Sequence, residues 1–520
     1  MRIQNGVRMP AVRKRGVMLA ATAVVIAAMG VPAEAQQPAP KPFAAIALGD
    51  SYISGEGGRW YGNANTFDSR ENFMGDRAGT DRALTPGNPE VCEQPTFGLF
   101  GGSPASCYRP KNVYRDEYRT PWNPNSLNHG LNEDTGKGTG CHRSDVSEII
   151  GLAKLQNKLP DGSSRPSTDP NYLHPLNLAC SGAETKHIIG GPVGDNKEAN
   201  DRVDADNQVI GFKSENLQIA DLAEAAKRYQ VKVVVLSIGG NDMGFGPVAE
   251  NCGKEYALWS DVMANCIDGG GAPRSGKNAL APMLNDKLVT TKAAVKKTVN
   301  EIKKTMEAAG QTNYRFVLQT YPQFLAPEPP NPHAPGAPQG ENRYPYNPYN
   351  KGFRERLTLG GCPFGSHDSY RIREYVSKLS TALKDARNEV NANTGGVDVD
   401  FLDVQDAFHG HEICNKNSKL AVRNEQPPSS LPMKDRGAEF EWLRYVDNGF
   451  PVSRLQGDKD ESVHPNAFGQ VALGTCLHKT INRGAGSYTC QPTFTNQELT
   501  KTLGPDQVRV YDWTPANPGF

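Results

Sequence analysis

Apolar residues along this chain recur with two periods. Phe43-Ala-Ala-Ile-Ala-Leu48 and Val231-Lys-Val-Val-Val-Leu-Ser-Ile238 are short, mostly apolar runs that end at glycine, at Gly49 and Gly239-Gly240. That is the pattern of buried strands. Arg315-Phe-Val-Leu-Gln-Thr320 and Val397-Asp-Val-Asp-Phe-Leu402 predict two more. Between them the spacing turns helical. Ile219, Leu222, Ala223 and Ala226 share one helix face, as do Val295, Val299, Ile302 and Met306, with Gly310 placed to cap the end. Ile372, Val376, Leu379, Leu383, Ala386 and Val390 repeat the pattern ahead of Val397. A helix leading into each strand predicts βαβ units, hence an α/β chain: a three-layer α/β/α sandwich around a central parallel sheet. In such sheets the ligand crevice lies off the carboxyl ends of the strands, so the chemistry is expected there.

Two stretches break the alternation. Gly58 to Gly140 is rich in Gly, Asn, Asp and Arg, and Pro322 to Gly361 in Pro, Tyr and Asn. Loops of that length are functional or disordered more often than they are plain connections. Both readings, walls over a site and surface elaboration, stay open. The N-terminus reads as an export signal. Arg2, Arg8, Arg13, Lys14 and Arg15 precede an uncharged run from Gly16 to Val31, and Ala33-Glu34-Ala35 supplies small residues for cleavage. The expected organisation is a signal over 1–35, then one domain over 36–520 with insertions at 58–140 and 322–361. No later run is long and apolar enough to span a bilayer, so no stable membrane insertion is expected.

Charge removes some function classes. Without residues 1–35, 57 less 5 leaves 52 basic side chains and 57 less 1 leaves 56 acidic ones, a net of −4. Nothing in that balance favours nucleic acid or an anionic surface as partner. The ten cysteines (92, 107, 141, 180, 252, 266, 362, 414, 476 and 490) all follow the signal. An even count in an exported chain, with no C-x-x-C spacing, favours disulfides over metal or redox sites. The simplest connectivity joins Cys92–Cys107, Cys141–Cys180, Cys252–Cys266, Cys362–Cys414 and Cys476–Cys490, although spacing alone does not fix it.

The candidate chemistry sits at the strand ends. The first strand runs into Gly49-Asp50-Ser51, which puts a serine hydroxyl at the crevice. The second ends in Gly239-Gly240-Asn241-Asp242, whose Asn amide suits an oxyanion. Leu178-Ala-Cys-Ser-Gly-Ala183 opens onto small residues that let a backbone N–H approach a substrate. Glu461-Ser-Val-His464-Pro-Asn466 places a histidine just before an amphipathic stretch. Each piece alone is an ordinary turn.

In this order the four blocks resemble the SGNH, or GDSL, hydrolase family. Closest are its secreted actinobacterial esterases and lipases, which share the Cys141-His142-Arg143-Ser144 and Ala179-Cys-Ser-Gly182 elements. The resemblance implies the SGNH hydrolase fold, with Ser51 as nucleophile, His464 as general base, and Gly182 and Asn241 as oxyanion donors. It also implies the Cys141–Cys180 disulfide. One position departs from the pattern: Glu461 stands where the family usually has Asp. The partner of His464 is therefore Glu461, Asp460 or the Ser462 carbonyl. The implied function is a secreted carboxylic ester hydrolase, acting on lipid or simple acyl esters through an acyl-enzyme. Polysaccharide deacetylation and a non-catalytic ligand-binding relative are the alternatives. Trp60, Tyr61, Tyr344, Tyr346 and Tyr349 would suit an acyl groove or a sugar ring equally. No cofactor or metal is expected. A metal enzyme built on His409, His411 and His464 lacks an evident carboxylate cluster to complete it. The expected partner is a lipid or small-molecule ester, and the expected state a monomer.

Overall fold

A computed structural model describes residues 40–58, 91–92, 107–108, 141, 143–144, 146–193, 200–213, 215–249, 251–252, 266–268, 280–327, 364, 366–393, 395–415, 418, 437–438, 440–444, 462–494 and 503–513. The strands in chain order are β1 (Phe43–Gly49), β2 (Val91–Cys92), β3 (Cys107–Tyr108), β4 (Leu173–Asn177), β5 (Gly191–Pro192), β6 (Asp201–Val203) and β7 (Gln208–Phe212). They continue with β8 (Glu215–Asn216), β9 (Gln230–Ser237), β10 (Arg315–Gln319), β11 (Val399–Asp403), β12 (Ser487–Pro492) and β13 (Val508–Asp512). The helices are α1 (Ser51–Ser54), α2 (Glu148–Gln156), α3 (Thr185–Ile189), α4 (Gln218–Arg228), α5 (Gly240–Met243), α6 (Ala281–Ala308), α7 (Ser366–Asn393) and α8 (Ala467–Ile481).

Seven strands form the main sheet in the order β13-β12-β11-β10-β9-β1-β4. Every neighbouring pair is parallel except β12 with β13. Helices cover both faces, with α2 packed on α8 in one group and α6 packed on α7 and α4 in the other. The α/β sandwich read from the hydrophobic pattern is therefore the observed fold. All residues of β1 after Phe43 are buried, as are the last five of β9. Small and β-branched side chains suit strands covered on both faces.

Chain order in this sheet sets the position of the site. After β1 the chain goes to β4 on one side of it and then to β9 on the other. The connections leave the carboxyl end of β1 in opposite directions and open a crevice there. Ser51 is the second residue after that strand.

The predicted elements sit within a few residues of the observed ones, and the helices run longer than their apolar stripes. The helix α2 and the strand β12 were not predicted, and three further features were not legible. The strand β4 carries His174 and Pro175 inside a five-residue run, and β13 pairs antiparallel at one edge. A four-stranded antiparallel sheet, β5-β7-β6 with β8 on β7, lies in sequence between α3 and α4. Its strands have two to five residues and mixed polarity, too short for either period to register.

Candidate active site

The turn after β1 is shaped by two residues ahead of the serine. Gly49 takes φ +140, and a Cβ there would lie 1.9 Å from the Ser237 carbonyl oxygen of β9. Only glycine lets the two strand ends come this close. Gln218 meets both backbone groups of Gly49, accepting from its N–H and donating to its carbonyl at 2.8 Å each. Asp50 then caps α1, its Oδ1 accepting from Tyr52 N–H at 3.1 Å. Ser51 is the first residue of the helix and 7% exposed. As an N-terminal helical residue its N–H has no intrahelical acceptor, and among the described residues nothing else takes it.

His464 comes to this serine from the other end of the chain. Its Nε2 lies 2.7 Å from Ser51 Oγ, and its Nδ1 lies 3.0 Å from the Ser462 carbonyl oxygen. A carbonyl only accepts, so the proton sits on Nδ1 and Nε2 is left with its lone pair toward the hydroxyl. The loop that presents the ring is held on several sides. Val463 N–H donates to the Arg444 carbonyl at 2.9 Å, and Arg444 N–H donates to the His464 carbonyl at 2.8 Å. Tyr52 Oη donates to the Val463 carbonyl at 2.7 Å, and its ring lies 5.0 Å from the imidazole. Asn466 caps α8 immediately after. Val463 itself takes φ +61, a conformation a β-branched residue adopts only when its surroundings impose it.

Two further turns converge here. Gly182, at φ +79, follows Cys180 and Ser181. Its added Cβ would make only ordinary contacts, so conformation rather than space calls for glycine. Among the described residues no acceptor lies on the Gly182 N–H. Asn241, in α5 at the end of β9, donates one Nδ2 hydrogen to the Ala183 carbonyl at 3.0 Å, which leaves the second. Its turn is tied to the Ser51 turn through Tyr321. Tyr321 Oη accepts from the Gly240 N–H at 3.0 Å and donates to Asp50 Oδ2.

The site is lined with buried carboxyls. Burial pushes Asp50 up to about 7 against the hydrogen bonds it receives, and raises Tyr321 so that it stays a donor. Asp242 is pushed to about 6 by burial although it accepts from the Thr185 hydroxyl at 2.6 Å. Glu56 is 1% exposed. Its Oε2 accepts from Ser181 Oγ at 2.6 Å and lies 3.9 Å from His464 Nε2.

The structure thus brings Ser51 and His464 into contact and sets the turns of Gly182 and Asn241 around the same strand ends. Ser462 supplies the Nδ1 contact, while Glu461 and Asp460 lie outside the described residues, as do Trp60, Tyr61, Tyr344, Tyr346 and Tyr349. Cys141–Cys180, Cys252–Cys266 and Cys476–Cys490 are bonded. Cys92 and Cys107 are register partners of β2 and β3. Cys414 is disulfide-bonded, and Cys362 lies outside the described residues. Among the described residues His409, His411 and His464 do not form a ligand cluster. His411 is stacked on Trp442 at 4.0 Å with its Nδ1 on the Phe440 carbonyl, and burial lowers it to about 3.

Sequence reasoning missed Tyr52, Glu56, Gln218 and Tyr321. The first two stand one and five residues after Ser51, a signal that proximity in sequence alone supplied. Gln218 and Tyr321 lie far along the chain and carry no pattern.

No family model matches the sequence, and no curated protein matches it. Among solved structures the chain is similar to the extracellular lipase from Streptomyces rimosus, with 14% identity over 82% of this chain and 94% of that one, at a TM-score of 0.34. It is similar also to phospholipase A1 from Streptomyces albidoflavus NA297, with 14% identity over 85% and 100% of the two chains, at a TM-score of 0.35.

Proposed function

We propose that the chain is a serine hydrolase of carboxylic esters, working through an acyl-enzyme on Ser51 and exported by the segment 1–35. The observation that carries this is the contact of Ser51 Oγ with His464 Nε2 at 2.7 Å, on an imidazole whose Nδ1 is engaged by a carbonyl. That arrangement leaves the ring in the tautomer that takes a proton from the hydroxyl. The disulfides among the described residues fit an exported chain.

In the first step Ser51 Oγ attacks the ester carbonyl carbon and its proton passes to His464 Nε2. The carbonyl oxygen becomes an oxyanion, and the Ser51 N–H, the Gly182 N–H and the second Nδ2 hydrogen of Asn241 are the donors for it. Collapse expels the alcohol, which takes the proton from Nε2. Water then attacks the acyl group by the same route and the acid leaves. Ser462 O holds the ring through both halves without contributing a full charge.

The substrate class, lipid or simple acyl esters, rests on the resemblance of the four sequence blocks. An assay with p-nitrophenyl esters from acetate to palmitate tests it, with Ser51→Ala alongside. Hydrolysis by the parent chain and none by the variant is expected, with longer acyl groups accepted. Activity that survives loss of Ser51 refutes the mechanism. Activity confined to acetate replaces the lipid reading with deacetylation.

A further inference from the structure

The peptide between Ser181 and Gly182 is gripped from a part of the chain that the mechanism above does not use. Lys213 stands in the turn between β7 and β8, at φ +48, and its Nζ donates to the Ser181 carbonyl oxygen at 2.7 Å. That oxygen belongs to the same planar unit as the Gly182 N–H. In a trans peptide the two point in opposite directions, so a hold on the oxygen also sets the direction of the N–H. A cation at the oxygen draws electron density from the amide and leaves the N–H a stronger donor.

The mount for this lysine is rigid. Lys213 N–H donates to the Asn200 carbonyl at 3.1 Å. The neighbouring Phe212 ring is stacked at 3.9 Å on His187, whose Nε2 meets the buried Asp201 carboxylate at 2.8 Å. The same peptide is steadied from its side chain, because Ser181 Oγ donates to Glu56. The small antiparallel sheet therefore ends as a bracket behind the turn that carries Gly182.

We propose that Lys213 is a positioning residue for oxyanion stabilisation: it fixes and polarises the Ser181–Gly182 peptide so that the Gly182 N–H meets the anion formed on Ser51. The proposal deepens the ester hydrolase reading and rests on it.

The test compares Lys213→Met, Lys213→Gln and Lys213→Arg with the parent chain and with Ser51→Ala, all as the full exported protein. Removing an oxyanion donor outright costs roughly 10²–10³-fold in kcat, and weakening one is expected to cost about tenfold. Lys213→Met should therefore lose about tenfold in kcat with KM within about twofold, and Lys213→Arg should recover most of it. Affinity for an alkyl boronic acid, which adds to the serine as a tetrahedral anion, should fall by the same factor as kcat. Unchanged kcat in Lys213→Met, or a loss confined to KM, overturns the proposal while Ser51-dependent hydrolysis stands. If the methionine variant does not fold, arginine near the parent rate with glutamine well below it supports the role, and equal rates overturn it. Absence of Ser51-dependent hydrolysis in the parent chain overturns the underlying reading instead.

Discussion

At the scale of single residues, the proposed chemistry depends on how His464 is held. Its Nδ1 faces a peptide carbonyl, and among the described residues no carboxylate meets that nitrogen; Glu56 lies 3.9 Å away on the Nε2 side. Geometry has to do more, and Tyr52 is the residue that couples the two partners. It sits next to Ser51, and its hydroxyl fastens the Val463 carbonyl while Val463 holds an unfavourable φ. Tyr52→Phe removes that bond and leaves the loop to relax. A neutral hydrogen bond is worth about 1 kcal/mol net, so kcat should fall roughly fivefold, with KM little changed. Steady-state kinetics on a short p-nitrophenyl ester checks it, and an unchanged kcat would mean that Val463 and Arg444 hold the loop unaided. Asn241→Ala acts on the other side of the reaction. It should fold normally and lose roughly 10²–10³-fold in kcat, because the lost donor acts only once charge has developed. A loss that shows in KM alone would place Asn241 in binding and not in oxyanion stabilisation.

Among the elements, the turns at the strand ends are the parts that long-range links must fix. Cys141–Cys180 joins the segment before α2 to the turn after β4 across 39 residues, and Ser181 N–H donates to the Cys141 carbonyl at 3.0 Å beside it. Loop-closure entropy for that separation amounts to about 4 kcal/mol. The double variant Cys141→Ser with Cys180→Ser should lose a stability of that order in urea unfolding. It should also lose kcat, since the Gly182 turn is released; a stable variant with full kcat would show that Lys213, Glu56 and Arg143, whose Nε donates to the Ala179 carbonyl at 2.9 Å, suffice. These links explain what the sequence hid. The strands β1 and β9 were legible because burial on both faces leaves an uninterrupted apolar run, and Ser51 and Asn241 were legible because they end those runs. His464 was legible through its place in the turn that Asn466 caps ahead of α8 and through the resemblance of its block. The carbonyl of Ser462 has no sequence signature, because every residue has one. Gln218, Tyr321 and Lys213 act through contacts with residues 30 or more positions away, which neither period encodes.

For the molecule as a whole, the buried carboxyls make stability depend on pH in an uncommon direction. Burial raises Asp50 and Asp406 from 3.8 to about 7, Asp242 from 3.8 to about 6, and Glu148 from 4.5 to about 8. In the unfolded chain these groups lose their protons near their ordinary values, whereas the folded chain keeps them well above. Through that window the folded state binds more protons, so stability falls as pH rises. Two buried histidines act the other way at lower pH. His187 is lowered to about 4 and His411 to about 3, both chiefly by burial, so below about 6.5 the unfolded chain takes protons that the folded one refuses. Between about pH 6.5 and about pH 8 the remaining protonation of these histidines in the unfolded chain and Lys384, which burial lowers to about 8, both favour the folded state as pH rises. The four carboxyls outweigh them and set the sign of the slope. The melting temperature should therefore drop across that interval. Glu148 gives the sharpest check, because both its oxygens accept from Gln319 Nε2 at 3.0 Å and an amide in its place still offers one acceptor. Glu148→Gln cannot ionise, so its melting temperature should fall less over the same interval. Calorimetry of both proteins at the two ends of that range decides the matter: parallel slopes would show that Glu148 is already ionised in the folded chain at neutral pH, with its charge accommodated by Gln319.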